Sequence, residues 1–150
     1  QNHLRILSAF YGILKPMDGV TPYRLEMQTK AEIEEKINLY DYWGDRLYHS
    51  VIDDSRTIIN LASKEYSKCI ERYLSDKDNY ITIIFCELSG DKLVTKGTYA
   101  KMARGEMVRF MAENNIENPV DIQKFDRLGY TFRGNLSSET EYVFERKIIK

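Results

Sequence analysis

Three cationic side chains recur along one segment whose apolar residues have the spacing of an α-helix. Between residues 98 and 113 the chain carries Lys101, Arg104 and Arg109, and Lys96 lies just before the segment. At 100° per residue these cations fall opposite an apolar stripe made of Tyr99, Met102, Ala103, Met107, Phe110 and Met111. Cationic side chains on one face can contact the phosphates of a nucleic acid. The segment therefore predicts a phosphate-binding helix, with an ordinary solvated face as the alternative.

A glycine, Gly105, interrupts the same cationic face. Inside a helix a glycine costs about 1 kcal/mol relative to alanine, so its presence calls for a reason. Because glycine has no Cβ, a phosphate backbone or a second helix can come close at that point. The whole chain has 22 Lys and Arg against 23 Asp and Glu, a net charge of −1. Any nucleic-acid contact must therefore come from a local patch such as this one.

A second candidate site lies where a predicted strand passes into a predicted helix. Asn60 is near the carboxyl end of the strand, and Ser63 is at the amino end of the helix. Free N–H groups at a helix start favour anions, and ligands of open α/β sheets gather at the carboxyl ends of strands. We predict anion binding by Asn60 and Ser63, with a plain N-cap role for Ser63 as the alternative.

The block from Leu7 to Met27 places charges among large apolar residues. Arg24 and Glu26 alternate with apolar side chains, which predicts a strand over 22–27 with both charges on one face. In a cleft, Glu26 or Asp18 could act as general acid or base, while Tyr11 or Arg24 orients a substrate. The alternative function is therefore an enzyme that acts on a nucleotide or a damaged base. A solvated sheet face is the simplest reading of the same pattern.

Composition and spacing argue against several other classes of protein. The chain has 150 residues, 43% hydrophobic and 30% charged, which suits a single globular domain over 1–150. No apolar run approaches the roughly 18–20 residues of a membrane span. Cys69 and Cys86 are not in C-x-x-C spacing, and His3 and His49 lie far apart. We expect no metal and no cofactor, and direct iron binding is the hypothesis with least support.

Strands and helices alternate along the chain and would position these residues. A short buried helix is predicted over 4–14, and strands over 57–62 and 80–88 flank a helix over 63–74. Such a strand, helix and strand form a right-handed βαβ unit with parallel strands. The next predicted elements are a short strand over 93–95 and the basic helix, capped by Thr98. A break over 114–119 and a helix over 120–125 follow. An antiparallel pair of strands over 129–132 and 141–149 is predicted last. The predicted fold class is α/β, with α+β possible, built on a mixed sheet with flanking helices.

Five blocks of the chain, taken together, resemble one known family. They are LSAFYGILKPMDGVTPYRLEM, LYDYWGDRL, INLASKEY, KMARGEMVRF and FDRLGYTF, in that order. Together they are similar to the carboxyl-terminal half or more of the YaaA-type peroxide-stress proteins of bacteria. The chain also starts at Gln1 without a methionine. We therefore expect it to be a C-terminal fragment of a longer YaaA-like protein.

The resemblance implies a cytoplasmic protein that helps cells survive hydrogen peroxide and limits free intracellular iron and DNA damage. It also implies a DNA-binding fold with a helix-hairpin-helix-like element and a positively charged cleft. That element maps onto residues 99–125, although the hairpin over 114–119 lacks the G-x-G common in such motifs. Ala9, Lys15 and Gln28 also stand where glycine, arginine and glycine are expected. Lys15 keeps the charge of an arginine but not its bidentate fork.

These observations combine into one predicted function. The chain is expected to bind double-stranded or structured DNA, without a membrane, and to be a monomer at full length. Lys96, Lys101, Arg104 and Arg109 would contact phosphates, and Lys15 and Arg24 would lie on the rim of the same cleft. Phosphate contacts position a protein without reading the base sequence, so the predicted binding is nonspecific or selective for DNA structure.

Overall fold

The computed structural model describes residues 2–30, 33, 35–36, 38–89 and 92–147. The chain divides into two compact units. The first unit is Gln1–Ile58 with Ala62–Asn79, and the second unit is Ile59–Leu61 with Tyr80–Lys150.

Seven strands and four α-helices make up the described chain. In chain order they are β1 Ile6–Ser8, β2 Gly12–Leu14, α1 Leu39–Trp43, α2 Arg46–Val51, β3 Thr57–Asn60, α3 Lys64–Glu71, β4 Asn79–Ser89, β5 Lys92–Val94, α4 Gly97–Glu113, β6 Tyr130–Phe132 and β7 Glu141–Arg146. Three 3-10 helices cover Pro119–Lys124, Arg127–Gly129 and Gly134–Leu136. The helices and strands confirm the predicted α/β class.

The main sheet is mixed, as predicted. Its strand order is β3-β4-β7-β6, and β5 also pairs with β4. Strands β4 and β7 are parallel, while β6 pairs with β7 and β5 with β4 in the antiparallel sense. Strands β3 and β4 are neighbours separated in sequence by α3, which fits the predicted βαβ unit. The parallel sense of this pair and the right-handed crossover stay predictions. The predicted antiparallel pair near the carboxyl end is confirmed over β6 and β7, and residues 148 and 149 lie outside the described part of the chain.

Aromatic rings fill the core of the second unit. The ring centroid of Phe85 on β4 lies 5.0 Å from that of Tyr130 and 5.6 Å from that of Phe144. Phe125 completes the group, 5.8 Å from Phe85. The ring pairs of Phe85 with Tyr130 and with Phe125 are edge-to-face, the arrangement that the aromatic quadrupole favours. This core supports the inner side of α4 and so fixes which side of that helix faces solvent.

The predicted buried helix over 4–14 is wrong, because the segment forms a β-hairpin. Strands β1 and β2 pair antiparallel, with Leu7 opposite Ile13. Gly12 has a φ of +76°, which side chains other than glycine rarely adopt. A Cβ at this position would lie 2.8 Å from the ring of Trp43. Both the backbone angle and the close ring favour glycine, and a φ of +76° is incompatible with a continuous right-handed helix.

The predicted strand over 22–27 is also wrong. The segment is irregular, and a turn follows it in which the amide of Thr29 donates to the carbonyl of Glu26 at 3.0 Å. Only the apolar end of the pattern is packed, since Met27 is completely buried whereas Tyr23 is 42% exposed. Alternating residues form a strand only beside a hydrogen-bonding neighbour, and the structure assigns none to this segment.

Two details around the basic helix differ from the prediction. Helix α4 begins at Gly97 with Lys96 in the N-cap position, so Thr98 lies inside the helix and does not cap it. The predicted second helix over 120–125 is a six-residue 3-10 helix, Pro119–Lys124. The side chain of Asn118 caps it by accepting a hydrogen bond from Val120 N at 3.0 Å. The helix-hairpin-helix interpretation is therefore not confirmed, since an α-helix is followed by a 3-10 turn.

Candidate nucleic-acid-binding surface

Helix α4 presents its cations according to which side it buries. Ala100, Ala103, Met107 and Phe110 are buried and form its inner stripe. The apolar stripe had been predicted to include Tyr99 and Met102, but these are 44% and 55% exposed. Lys101, Gly105 and Arg109 lie near the middle of the outer side, at 100° per residue, and Arg104 lies on its flank. The cations therefore lie on the same helix but differ in their exposure to solvent.

Lys96, Lys101 and Gly105 meet solvent without obstruction. Both lysines are exposed, and neither forms an ion pair with a carboxylate within the described residues. A Cβ built on Gly105 would have no heavy atom within 4 Å. The glycine thus leaves the helix backbone accessible between the turns that carry Lys101 and Arg109, as a close-approaching phosphate would require.

Arg104 is half-buried, and none of the described carboxylates forms an ion pair with it. Its Nε is hidden from solvent, and among the described residues no group accepts a hydrogen bond from it. Burial lowers the pKa of the guanidinium. A buried donor without an acceptor is costly, and the cost is larger for a charged group. Arg104 is therefore the cation on α4 with most to gain from an incoming anion.

Arg109 is already neutralised. Its Nε donates to Glu113 Oε1 at 2.7 Å, and the second oxygen of Glu113 accepts from Arg127 at 2.7 Å. Arg127 also donates to Glu106 at 2.8 Å, so two arginines and two glutamates form a chain. The hydrogen bonds from Arg109 and Arg127 lower the pKa of Glu113, and the bond to Glu113 raises the pKa of Arg109. This pairing weakens the case for Arg109 as a phosphate contact.

The remaining predicted anion contacts belong to different elements of the chain. Asn60 is buried, and its amide donates to Thr82 Oγ1 at 3.3 Å. Ser63 occupies the N-cap position of α3, but its side chain makes no capping hydrogen bond. Lys15 and Arg24 are exposed in the first unit, whereas α4 belongs to the second unit. A cleft shared by Lys15, Arg24 and α4, and an anion site at Asn60 and Ser63, both stay predictions.

The residues proposed for catalysis are engaged in their own loop. The hydroxyl of Tyr11 contacts Thr21 Oγ1 at 2.9 Å and accepts from Thr21 N at 3.0 Å, and these bonds lower the pKa of Tyr11. The Asp18 carboxylate accepts from Lys15 N at 2.7 Å. Glu26 is exposed, and its amide donates to Thr29 Oγ1 at 3.3 Å. An enzymatic role for these side chains stays a prediction.

Sequence reasoning missed an ion pair inside the second unit. Glu87 on β4 is only 3% exposed, and its carboxylate lies 2.7 Å from a guanidinium nitrogen of Arg146 on β7. That guanidinium lies 3.6 Å from the centroid of the exposed Tyr99 ring. The sequence signal was present, because Glu87 is the one charged residue of the mostly apolar strand β4, and a buried carboxylate requires a partner.

Thiol and metal chemistry find little support among the described residues. Cys69 and Cys86 are both buried, and burial raises the pKa of Cys69 to about 11. A thiol with such a pKa is almost entirely protonated near neutral pH and is a poor nucleophile. Over the residues that the structure describes, no three His, Cys, Asp or Glu side chains are grouped as metal ligands. Nor does the described chain contain a helix long and apolar enough to cross a bilayer.

Comparison with known proteins places the chain in a family. The model of the family described as "Peroxide stress protein YaaA" matches residues 1–136. A UPF0246 protein of Agathobacter rectalis is 80% identical over 148 residues, which is 99% of this chain and 59% of the relative. A UPF0246 protein of Lachnoclostridium phytofermentans is 56% identical over 144 residues, or 96% of this chain and 56% of the relative. The chain thus spans less than two thirds of the length of these curated relatives. It belongs to the YaaA family of peroxide stress proteins.

Proposed function

We propose that the protein is a cytoplasmic DNA-binding protein of the peroxide stress response. The observation that carries this proposal is the state of Arg104, a half-buried guanidinium on the same helix as the exposed Lys101. Within the described part of the chain, nothing accepts a hydrogen bond from Arg104 Nε, and no carboxylate pairs with Lys101. Cations that are already ordered on a helix and lack carboxylate partners are suited to a polyanion. Family membership supplies the stress context.

The proposed binding mode is contact with phosphates. Lys96, Lys101 and Arg104 would neutralise phosphate charges of the DNA backbone, and Gly105 would allow a DNA strand to approach the helix closely. Arg109 would contribute only if the partner displaced Glu113 from it. Contacts of this kind carry no base-sequence information, so binding to different duplexes of equal length should be similar. The predicted limitation of free iron, and so of DNA damage, rests on the family resemblance alone.

Fluorescence anisotropy with a labelled duplex tests the proposal. The variant K101A/R104A should weaken binding at low salt by about tenfold or more, because two phosphate contacts are lost. The matched control is K68A/K77A, which removes the same charge from exposed positions in the first unit. Equal affinities for the wild type and K101A/R104A, or an equal loss in the control, would contradict the proposal.

A further inference from the structure

An exposed cluster of aromatic rings lies in the first unit, outside the helix discussed above. It consists of Phe10, Tyr11 and Tyr23 and is called the aromatic cluster below. The ring centroid of Phe10 lies 4.9 Å from that of Tyr11 and 5.3 Å from that of Tyr23, and the two tyrosine centroids are 5.5 Å apart. All three rings are therefore in mutual contact.

One buried serine organises this cluster. Ser8 is 3% exposed, and its Oγ lies 2.5 Å from the hydroxyl of Tyr23. The same Oγ accepts hydrogen bonds from the amides of Phe10 at 3.3 Å and Tyr11 at 3.0 Å. The hydroxyl of Tyr11 is held separately by Thr21. Because these bonds fix the residues before any ligand arrives, little conformational entropy remains to be lost on binding.

The cluster is exposed although it is apolar. Phe10 is 56% exposed and Tyr23 is 42% exposed. Single exposed apolar residues are common, but an ordered group of rings in mutual contact is typical of a binding surface.

The charges of the same loop indicate which ligand would fit. Lys15 and Arg24 are exposed, and within the described residues neither forms an ion pair. The same segment carries two carboxylates: Asp18 accepts from the backbone amide of Lys15, and Glu26 is exposed. The loop thus offers ordered rings together with cations that lack a carboxylate partner among the described residues, the combination with which proteins hold single-stranded nucleic acid by base stacking and phosphate contact.

We propose that the aromatic cluster is a stacking site for an unpaired nucleobase, with Phe10 as its main contact and Arg24 and Lys15 facing the adjoining phosphates. The site rests on the proposed function only in that its ligand is a nucleic acid. It goes beyond that function by assigning single-stranded DNA to a surface of the first unit. Duplex binding by α4 requires no unpaired base.

Substitutions of Phe10 test the site, because this side chain is exposed and has no hydrogen-bonding atom whose loss could unfold the chain. The probe is a labelled oligothymidylate of about 15 nucleotides, long enough to cover a typical single-strand site. F10A should weaken its binding by about tenfold, the expected effect of losing one stacked base. F10W should bind at least as well as the wild type, whereas F10L should resemble F10A because it is apolar but cannot stack.

The control is V20A, which trims an apolar residue of the same loop that is 56% exposed and lies outside the group of three rings. It removes no ring and should leave affinity unchanged. An unchanged affinity in F10A, or wild-type affinity in F10L, would overturn the proposal. So would a change in F10A confined to self-association in sedimentation velocity, because the cluster would then be a protein contact. The duplex assay separates the two proposals: F10A should alter duplex affinity less than twofold, whereas K101A/R104A should alter it strongly.

Discussion

The first and second halves of α4 carry the same kind of charge in different circumstances. In the first half Lys101 is exposed and Arg104 is half-buried, and neither has a carboxylate partner among the described residues. In the second half Arg109 is bonded to Glu113, which also binds Arg127. A count of lysines and arginines treats both halves alike. Among the described residues, the cations of the first half lack a carboxylate partner, whereas Arg109 in the second half has one.

The largest expected effect comes from the half-buried arginine. R104A should lower duplex affinity by about tenfold at low salt, because the incoming phosphate loses a guanidinium that is already in place. R104K should lose about threefold, since lysine keeps the charge without the planar fork. Anisotropy titrations measure both variants. Equal affinities for R104K and R104A would mean that charge at this position is unimportant.

We expect duplex affinity to rise when Arg109, in the second half of α4, loses its carboxylate partner. E113Q removes the carboxylate that neutralises Arg109, so duplex affinity should rise about two- to threefold at low salt. E117Q makes the same change of charge at an exposed neighbouring position and should have a smaller effect. If E113Q does not bind the duplex more tightly than E117Q does, the pairing of Arg109 with Glu113 does not limit contact between Arg109 and DNA.

The ion pairs in the second half of α4 should contribute to the stability of the fold rather than to DNA binding. R127M removes the cation that joins Glu106 to Glu113, leaving two carboxylates on α4 without it. The melting temperature should fall by a few degrees, and less at high salt, since like charges are then screened. K124M breaks an exposed pair with Asp121 and should have a smaller effect. Thermal melts by circular dichroism at two salt concentrations check this prediction, and equal melting temperatures would contradict it.

The pH dependence of stability gives the smallest expected effect. Hydrogen bonds from Arg109 and Arg127 lower the pKa of Glu113, so its ionised form stabilises the folded state. That contribution is present above the pKa of an unfolded glutamate, about 4.3, and is lost as the pH falls through the lower folded value. Urea unfolding should therefore show wild type more stable than E113Q at pH 7 and a smaller difference near pH 3. A difference that does not vary with pH would be inconsistent with an ionised Glu113.

The sequence predicted the second unit better than the first, for identifiable reasons. The apolar run of β4 and the helical period of α4 are local patterns, and both elements were found where expected. The hairpin of β1 and β2 was not predicted, because the reason for glycine at position 12 is not local. The ring that leaves no room for a Cβ there belongs to Trp43, which lies 31 residues further along the chain. Such long-range contacts leave no local period to detect.

The candidate site shows the same limit. The i,i+4 spacing of Arg109 and Glu113 could have predicted their pairing from the sequence alone. The link from Glu113 to Arg127 and the burial of Arg104 depend on how the chain packs around α4. Packing likewise decided which apolar side chains of α4 face the core, since Tyr99 and Met102 of the predicted stripe are exposed whereas Ala100 is buried.

The salt dependence of duplex affinity in R104A and R109A tests the difference between the two halves most directly. In a plot of log affinity against log salt concentration, each phosphate contact contributes a slope of about −0.9. We predict that R104A reduces the steepness of the wild-type slope by about one contact, whereas R109A leaves the slope unchanged. Slopes reduced equally in R104A and R109A, or unchanged in both, would contradict the claim that unpaired cations in the first half of α4 bind DNA.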